Sequence, residues 1–537
     1  MQKIKHIVYL MLENRSFDNV LGWLYDEQNP PKNNIPSQGT PYFEGLKENT
    51  YYNIDQEGKK YYVTKGTDNK LDVPSYDPNE VYEHVNNQVF GSEANPNQGQ
   101  KPTMGGFYKD YVAFYNNASQ IMQTYTPDEL PVLNGLAKNF AVSDMYFSSV
   151  PTQTNCNRAF AASGNSLGIT DDNVLTAWVN NRDVPFSLSP LHISGVTKPA
   201  GNQFNQSTLW NVLYNNGFNT PDDWTLFNCS GTAWERELDV EGYSYTRALM
   251  EQLQSSDYDA HFDVMDNFLT KAKNGTLPTF SFLEPEWGLI KNIIITKLGI
   301  NGNDYHPPTN LQPGEIFVKS IYDALTSNKE AWEQTLFIIN FDEHGGTYDH
   351  VAPPWNAAAP WDNKETPTPT AYEKGFEFDR FGVRVPLILV SPLIEASTVF
   401  RASGDVPYDH TSVIATILTM MGVSKDKWNL GSRVANAPTF ENILTLSTPR
   451  TDVPEIQVNA NAKVADVDAP PNDIQKIMAQ SILTSALQQK AQKQSLTNTN
   501  NQATEDNAKD MFQSLKEVKT ISELSSVLET HLKTILK

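Results

Sequence analysis

The chain reads as an α/β protein built on a mainly parallel sheet covered on both faces, and three observations lead there. Short apolar runs rich in β-branched residues recur at Ile4–Leu12, Leu336–Phe341 and Val385–Val390, a pattern that suits strands buried on both faces. The segment GEIFVKSIYDALTSN, just before the second run, sets Ile316, Val318, Ile321, Tyr322 and Leu325 at helical spacing, and helix followed by strand is the unit from which parallel sheets are built. The first run ends abruptly in Glu13-Asn14 and the second in Asp342-Glu343, at the strand ends where α/β proteins collect their chemistry.

Taken in order, the first strand leads into Glu13-Asn14-Arg15-Ser16, then Phe17-Asp18 and an amphipathic Val20–Leu24. Arg15 and Asp18 are expected to tie the turn after the strand by charge-assisted hydrogen bonds. Residues 28–106 and about 165–275 are rich in Asn, Pro, Gly and aromatic residues, and read as long ordered insertions that cap the sheet edge. Between them a strand-like run, 140–147, precedes SSVPTQTNCNRAFAASGNS. A threonine hydroxyl, Thr152 or Thr154, at the start of that small-residue helix would sit among free N–H groups, which suits phosphate binding and a lowered hydroxyl pKa. Simple N-capping by Thr or Asn explains the same letters. The loop NDYHPP carries Asn303, Asp304 and His306, a weak signal by itself.

The second strand ends in FDEHGGTYDHV, with Asp342, Glu343, His344, Asp349 and His350 crowded behind it. Neighbouring side chains at a strand end point to opposite faces unless the chain turns, and Gly345-Gly346 permits the turn. Asp342 and Glu343 with Glu13 and Asn14 would then form an all-oxygen nest for a hard divalent cation. So many ionisable groups behind a buried strand are costly to hold together without a ligand. The strands Ile4–Leu12 and Leu336–Phe341 are therefore expected to be close neighbours. Residues 1–455 read as one catalytic domain. After it, residues 456–537 read as a helical extension in which Ile474, Ile477, Ile482 and Leu487, then Leu515, Leu524 and Leu528, form amphipathic stripes.

Composition removes several function classes. A net charge of −22 disfavours a nucleic-acid partner, which requires a basic surface, and disfavours tight adsorption to anionic lipid. A transient contact with a membrane surface stays open. No apolar run approaches the roughly 20 residues of a bilayer span, and no signal peptide is visible before the first motif. Cys156 and Cys229 allow one disulfide without requiring it, and zinc- or redox-type CxxC spacings are absent.

In combination, ENRSFD, then SVPTQTNCNR, GTLPTFSFLEP, NDYHP, DEHGGTYDHV and GVRVPLILVSP resemble the bacterial and plant phosphoesterases of the non-specific phospholipase C type, relatives of certain bacterial acid phosphatases. The resemblance covers about residues 1–452. It implies an alkaline-phosphatase-like three-layer sandwich and a metal-dependent hydrolysis of phospholipids through a phosphothreonine. It further implies Glu13 and Asn14 as the first pair of metal ligands, Asp342 and Glu343 as the second, and one divalent ion that could be calcium, magnesium, manganese or zinc. Thr154 corresponds to the nucleophile, although Cys156 stands where the family usually has proline. Asn14 and Asn157 would steady the phosphoryl oxygens, with His350 as a further substrate contact. His306 would protonate the leaving group. Where plant relatives carry a histidine soon after Asp-Pro this chain has Asn79-Glu80, and His84 is expected to fill that space. A phosphomonoesterase of the same family is the alternative reading, and a catalytically inactive binding protein a more remote one. The resemblance also implies a secreted or periplasmic protein.

Overall fold

The first strand of the chain lies in the middle of the protein, because all but one of its residues are buried and only a central position covers both of its faces. The structure, a computed structural model, describes residues 4–460 except 38, 41, 117, 171, 182–203, 229–243 and 287–301, together with scattered positions between 470 and 531. In chain order the central strands are β1 (His6–Leu12), β2 (Asn33–Ile35), β3 (Ala141–Ser143), β4 (Trp224–Asn228), β5 (Phe262–Val264), β6 (Phe280–Leu283), β7 (Thr335–Phe341), β8 (Leu387–Val390) and β9 (Thr398–Phe400). Their spatial order is β5-β4-β6-β1-β7-β8-β3-β9-β2. All run parallel except β8, which is antiparallel to β7 and to β3.

The pairing of β1 with β7 positions the rest. His6 faces Thr335 and Leu12 faces Phe341 with no slip between, so Glu13 and Asp342 leave the sheet at the same level. The sequence TLFIINF is buried throughout β7, and a one-residue slip would send every side chain to the opposite face. Register is therefore fixed by packing.

The helices that matter for the site are α1 (Phe17–Leu21), α2 (Tyr82–Phe90), α3 (Phe107–Val112), α4 (Pro131–Asn139), α5 (Thr154–Ser163), α6 (Met265–Asn274), α7 (Gln312–Ser327) and α8 (His410–Met420). On one side of the sheet α4 packs against α7, and α7 against α6; on the other α5 packs against α8. In α7 the stripe Phe317, Val318, Ile321, Tyr322 and Leu325 turns inward, while Ile316 stays exposed. Each fully buried side chain of this kind contributes about 1.5–3 kcal/mol. The architecture is an α/β sandwich with a large, mainly parallel central sheet, as the sequence predicts.

The two expected insertions fare differently. Within 28–106, β2 joins the sheet edge, and much of the remainder gathers with α2 and α3 around a second small core that includes Val63, Val85, Val89, Met104, Phe107 and Tyr111. The reading of 165–275 as a cap is corrected over its second half, where Trp224–Asn228 and Phe262–Val264 are strands of the central sheet and α6 covers it. These strands are short and aromatic-rich, so they lack the β-branched run that identifies β1 and β7. Most of the expected C-terminal helices lie outside the described residues, but Leu515, Leu524 and Leu528 are buried in contact with the main core. Cys229 lies outside them too, so its pairing with Cys156, a buried thiol here, is untested. Among the described residues no helix is long and apolar enough to cross a membrane.

The turn after β7 depends on its two glycines. Gly345 and Gly346 have φ of +58° and +61°, in the left-handed region that strains other L-residues. A Cβ at Gly345 would lie 2.0 Å from the backbone oxygen of Asn14, and one at Gly346 would lie 2.6 Å from Pro78. Gly345→Ala is expected to destabilise the protein by more than about 1 kcal/mol, since alanine is both strained at positive φ and in collision with a backbone atom that belongs to β1's own exit turn. Urea unfolding of the variant beside the parent measures this, and equal midpoints would contradict it.

Candidate active site

Two strand ends and one helix start converge on a small buried volume. Asn14 supplies the first turn: its φ of +55° is a conformation that asparagine tolerates better than most residues, and it lets Asn14 face the same side as Glu13. Its backbone N–H donates to Asp342 Oδ1 at 3.0 Å, and its side-chain Nδ2 lies 2.6 Å from both Glu343 Oε1 and Glu80 Oε1. Beyond the second turn, Glu343 Oε2 accepts from the Gly345 N–H at 2.7 Å.

Helix α5 brings the hydroxyl. Thr154 opens this helix after Gln153, which provides no side-chain cap, so the positive end of the helix faces the acidic cluster. Thr154 Oγ1 lies 3.2 Å from Glu13 Oε2 and 3.4 Å from Asn14 Oδ1. The rival hydroxyl, Thr152, instead donates to Asn180 Oδ1 at 3.0 Å. One turn along α5, Arg158 donates from Nε to Glu13 Oε1 at 2.6 Å, adds a second contact to the same oxygen through Nη2, and reaches Asp342 Oδ2 at 3.8 Å. A single guanidinium thus holds carboxylates from two strands.

The electrostatics follow from burial. Glu13, Asp342, Glu343 and Asp304 are all fully buried. Burial, and then Asp342 beside it, push Glu13 well above the ordinary carboxylate range against the pull of Arg158. Burial and Asp342 do the same to Glu343, and burial raises Asp304 to about 7. Carboxylates in this state call for a cation. The donor set fits one: Asp342 Oδ2 and Asp304 Oδ2 are buried without a hydrogen-bond partner, and the surrounding ligand types are mostly oxygen, as hard divalent ions prefer.

The other expected site residues are placed less simply. His306 does reach the cluster. It is fully buried, with Nδ1 2.7 Å from the Pro307 carbonyl, and burial lowers its pKa to about 3, which leaves a neutral ring. A neutral imidazole is not the proton donor that the sequence predicts. His84 is not brought to the cluster: it sits on α2 with Nδ1 2.8 Å from Asp110 Oδ1 of α3. The helix begins only after its N-cap, Val81, so Glu80 occupies the preceding loop at the site and His84 turns away. Asn157 is committed to the loop before α5, donating to the carbonyls of Val150, Thr152 and Gln153 and accepting from the Val150 N–H. It holds the loop that carries Thr154, rather than reaching the space beside the hydroxyl.

His350 belongs to a neighbouring network. Its Nδ1 lies 2.6 Å from Asp18 Oδ2 and its Nε2 3.2 Å from Glu44 Oε1, while Arg384 donates to Asp18 and Asp349 at 2.9 and 3.0 Å. This network joins the turns after β1 and β7 from below. Asp18 takes part as expected, and Arg15 donates to the Tyr305 and Val73 carbonyls. Residues that sequence reasoning left without a role are Asp77, Glu80, Asp304 and Arg158. Asp77 and Glu80 stand in SYDPNEV and Arg158 in TNCNR, and only the fold brings them to one place.

Comparison with known proteins gives the family. The model of the Phosphoesterase family matches residues 4–424. The chain is similar to non-specific phospholipase C6 of Arabidopsis thaliana, at 33% identity over 84% of this chain and 74% of that protein. It is also similar to the hemolytic phospholipase C of Pseudomonas aeruginosa, at 24% identity over 79% of this chain and 54% of that protein. Among solved structures, it resembles a protein in the alkaline phosphatase superfamily from Vibrio parahaemolyticus, with a TM-score of 0.29 and 11% identity over 58% of this chain and 64% of that one.

The network around His350 makes a pH prediction. Burial works against its charge, but Asp18 and Glu44 outweigh burial and raise its pKa from 6.5 to about 9. A raised folded-state value means that the contribution to stability is complete below the unfolded pKa and fades as pH rises through the folded one. The unfolding free energy lost in His350→Asn is therefore expected to be largest below about pH 6.5 and to shrink as pH approaches 9. A loss that stays constant or grows over that range would contradict the assignment.

Proposed function

The chain belongs to the Phosphoesterase family, and from that premise we propose that it is a metal-dependent phospholipase C-type hydrolase that acts on phospholipids through a phosphothreonine at Thr154. The observation that carries this reading is the position of Thr154 Oγ1, within 3.2 Å of Glu13 and 3.4 Å of Asn14 at an uncapped helix start. The names of the relatives support the substrate class, and the buried acids support the metal.

Glu13, Asn14, Asp342 and Glu343 would hold the ion. When bound, it supplies Lewis-acid stabilisation of phosphoryl oxygens and lowers the pKa of a coordinated hydroxyl. The chain's own groups do the rest. Glu13 accepts the Thr154 proton, and Arg158 keeps that carboxylate in place. Thr154 Oγ1 then forms a bond to phosphorus as the bond to the glycerol oxygen breaks, and the glycerol oxygen, opposite Thr154, takes a proton from solvent so that diacylglycerol leaves as the alcohol. Water attacks the same phosphorus in the second step, the Thr154–phosphorus bond breaks, and the phosphorylated head group is released. The N-terminal dipole of α5 stabilises the charge that gathers on the equatorial oxygens, and Asn14 Nδ2 joins it by exchanging one of its two carboxylate contacts for a phosphoryl oxygen. Asn157 contributes by fixing the loop Val150–Gln153 and hence the rotamer of the hydroxyl beside it.

Turnover of phosphatidylcholine and p-nitrophenyl phosphate, measured side by side, tests the reading. The diester lipid is expected to be the better substrate, and a preference for the monoester would favour a phosphomonoesterase of the same family. Thr154→Ala should lose about three orders of magnitude or more in kcat/KM, while Thr152→Ala should retain activity within about tenfold of the parent. Substantial activity in Thr154→Ala together with loss in Thr152→Ala would move the nucleophile by two residues.

A further inference from the structure

We propose that Asp77, Glu80 and His306 form a second divalent-cation site beside the Glu13, Asn14, Asp342 and Glu343 group. The proposal extends the metal-dependent reading above. The ligand atoms of the three residues all lie within 4.8 Å of one another. Asp77 and Glu80 come from the loop before α2, and His306 from the loop before α7. Loops far apart in sequence thus deliver three ligand-type side chains to one point, with Glu80 and His306 buried and Asp77 partly exposed.

The state of His306 singles out this cluster. Its Nδ1 is 2.7 Å from the Pro307 carbonyl oxygen. A carbonyl only accepts, so Nδ1 carries the hydrogen and Nε2 of the neutral ring presents a lone pair. That Nε2 is fully buried, has no hydrogen-bond partner, and lies 3.8 Å from Glu80 Oε1. A lone pair opposite a carboxylate in a low-dielectric interior is repulsive, and a cation between them removes the conflict. Histidine that donates one nitrogen to a carbonyl and offers the other is also how metal-binding imidazoles are oriented.

A second cluster shows what such a group looks like when the protein supplies the cation itself. Asp18, Asp349 and His350 are equally close-set, but Arg384 donates to both carboxylates there and both ring nitrogens of His350 meet carboxylates. Positive charge is already built in. At Asp77, Glu80 and His306 the Nε2 lone pair faces Glu80 Oε1 at 3.8 Å, Asp77 Oδ1 lies 3.6 Å from Nδ1, and the charges of Arg15, Lys476 and Arg158 also bear on the ring. One imidazole with two carboxylates suits zinc, manganese, cobalt or ferrous iron better than calcium. Asn14 Nδ2, 2.6 Å from both Glu80 and Glu343, forms the wall shared by the two groups, so two bound ions would face one phosphoryl group from adjoining positions.

Metal stoichiometry tests the proposal without reference to turnover. The chelator-stripped chain would be dialysed against Mn2+ and, separately, Zn2+, and bound metal counted by elemental analysis, with circular dichroism as a check on folding. The parent is expected to hold two ions per chain, and Glu80→Gln and His306→Asn one each; Asp77→Asn replaces either variant if it fails to fold. Asp342→Asn should lose the other ion. A parent with one ion, kept in Glu80→Gln and His306→Asn and lost in Asp342→Asn, would overturn the second site and leave the first standing. Two ions in the parent that both survive Glu80→Gln and His306→Asn would overturn it as well. No bound metal in any form would overturn both readings.

Discussion

Arg158 bridging Glu13 and Asp342 is the contact on which the site depends. The in-register pairing of β1 and β7 delivers two carboxylates to the same level of the same sheet edge, where burial makes their charge costly. The guanidinium that answers them comes from α5, four residues after Thr154 and so on the same face of that helix. One ion pair therefore sets the sheet edge, the helix and the hydroxyl relative to one another. Removing the arginine would leave uncompensated charge in the interior, a loss of about 3–5 kcal/mol for pairs of this kind. Yet one arginine cannot balance Glu13, Asp342, Glu343 and the acids around them, and that excess of buried acids is what supports the proposed cation.

The two turns that follow β1 and β7 are braced separately. Arg384 holds Asp18 from the first and Asp349 from the second, and His350 adds a further positive charge against Asp18 and Glu44. Beneath the site, then, acids are paired with cations that the chain carries. Within it they are gathered in excess. Both layers draw on the same two motifs, ENRSFD and DEHGGTYDH, and the difference between bracing and chemistry lies in which residues of each motif meet a built-in cation.

Much of this was legible in the letters. β1, β7 and β8 announce themselves by short β-branched runs, α7 by its period, and the grouping of Glu13, Asn14, Asp342 and Glu343 by strand ends followed by a glycine turn. β2, β5 and β9 are only three residues long, too short for any periodic signal, while β3 falls inside the strand-like run 140–147; β4 with its tryptophan and phenylalanine looks like its Asn- and Pro-rich surroundings. The misplacement of His84 has a local cause. Spacing from Glu80 suggests one helical turn, but the helix starts after Glu80, so the two residues point to different places. Asn157 illustrates the opposite limit, since a motif identifies the residue but cannot say that its amide is spent on the backbone of the preceding loop. Asp77, Glu80 and Asp304 gain a role only through contacts that span the chain.

The central claim is that Thr154, set at this acidic edge by Arg158, is the group that bonds to phosphorus. A crystal structure of the protein with orthovanadate tests it most directly, because vanadate adopts the five-coordinate geometry of phosphoryl transfer on the attacking atom. The account predicts vanadium bonded to Thr154 Oγ1, with Asn14 Nδ2 directed at an equatorial oxygen. Vanadate bonded to Thr152, or bound with no contact to either hydroxyl, would contradict it.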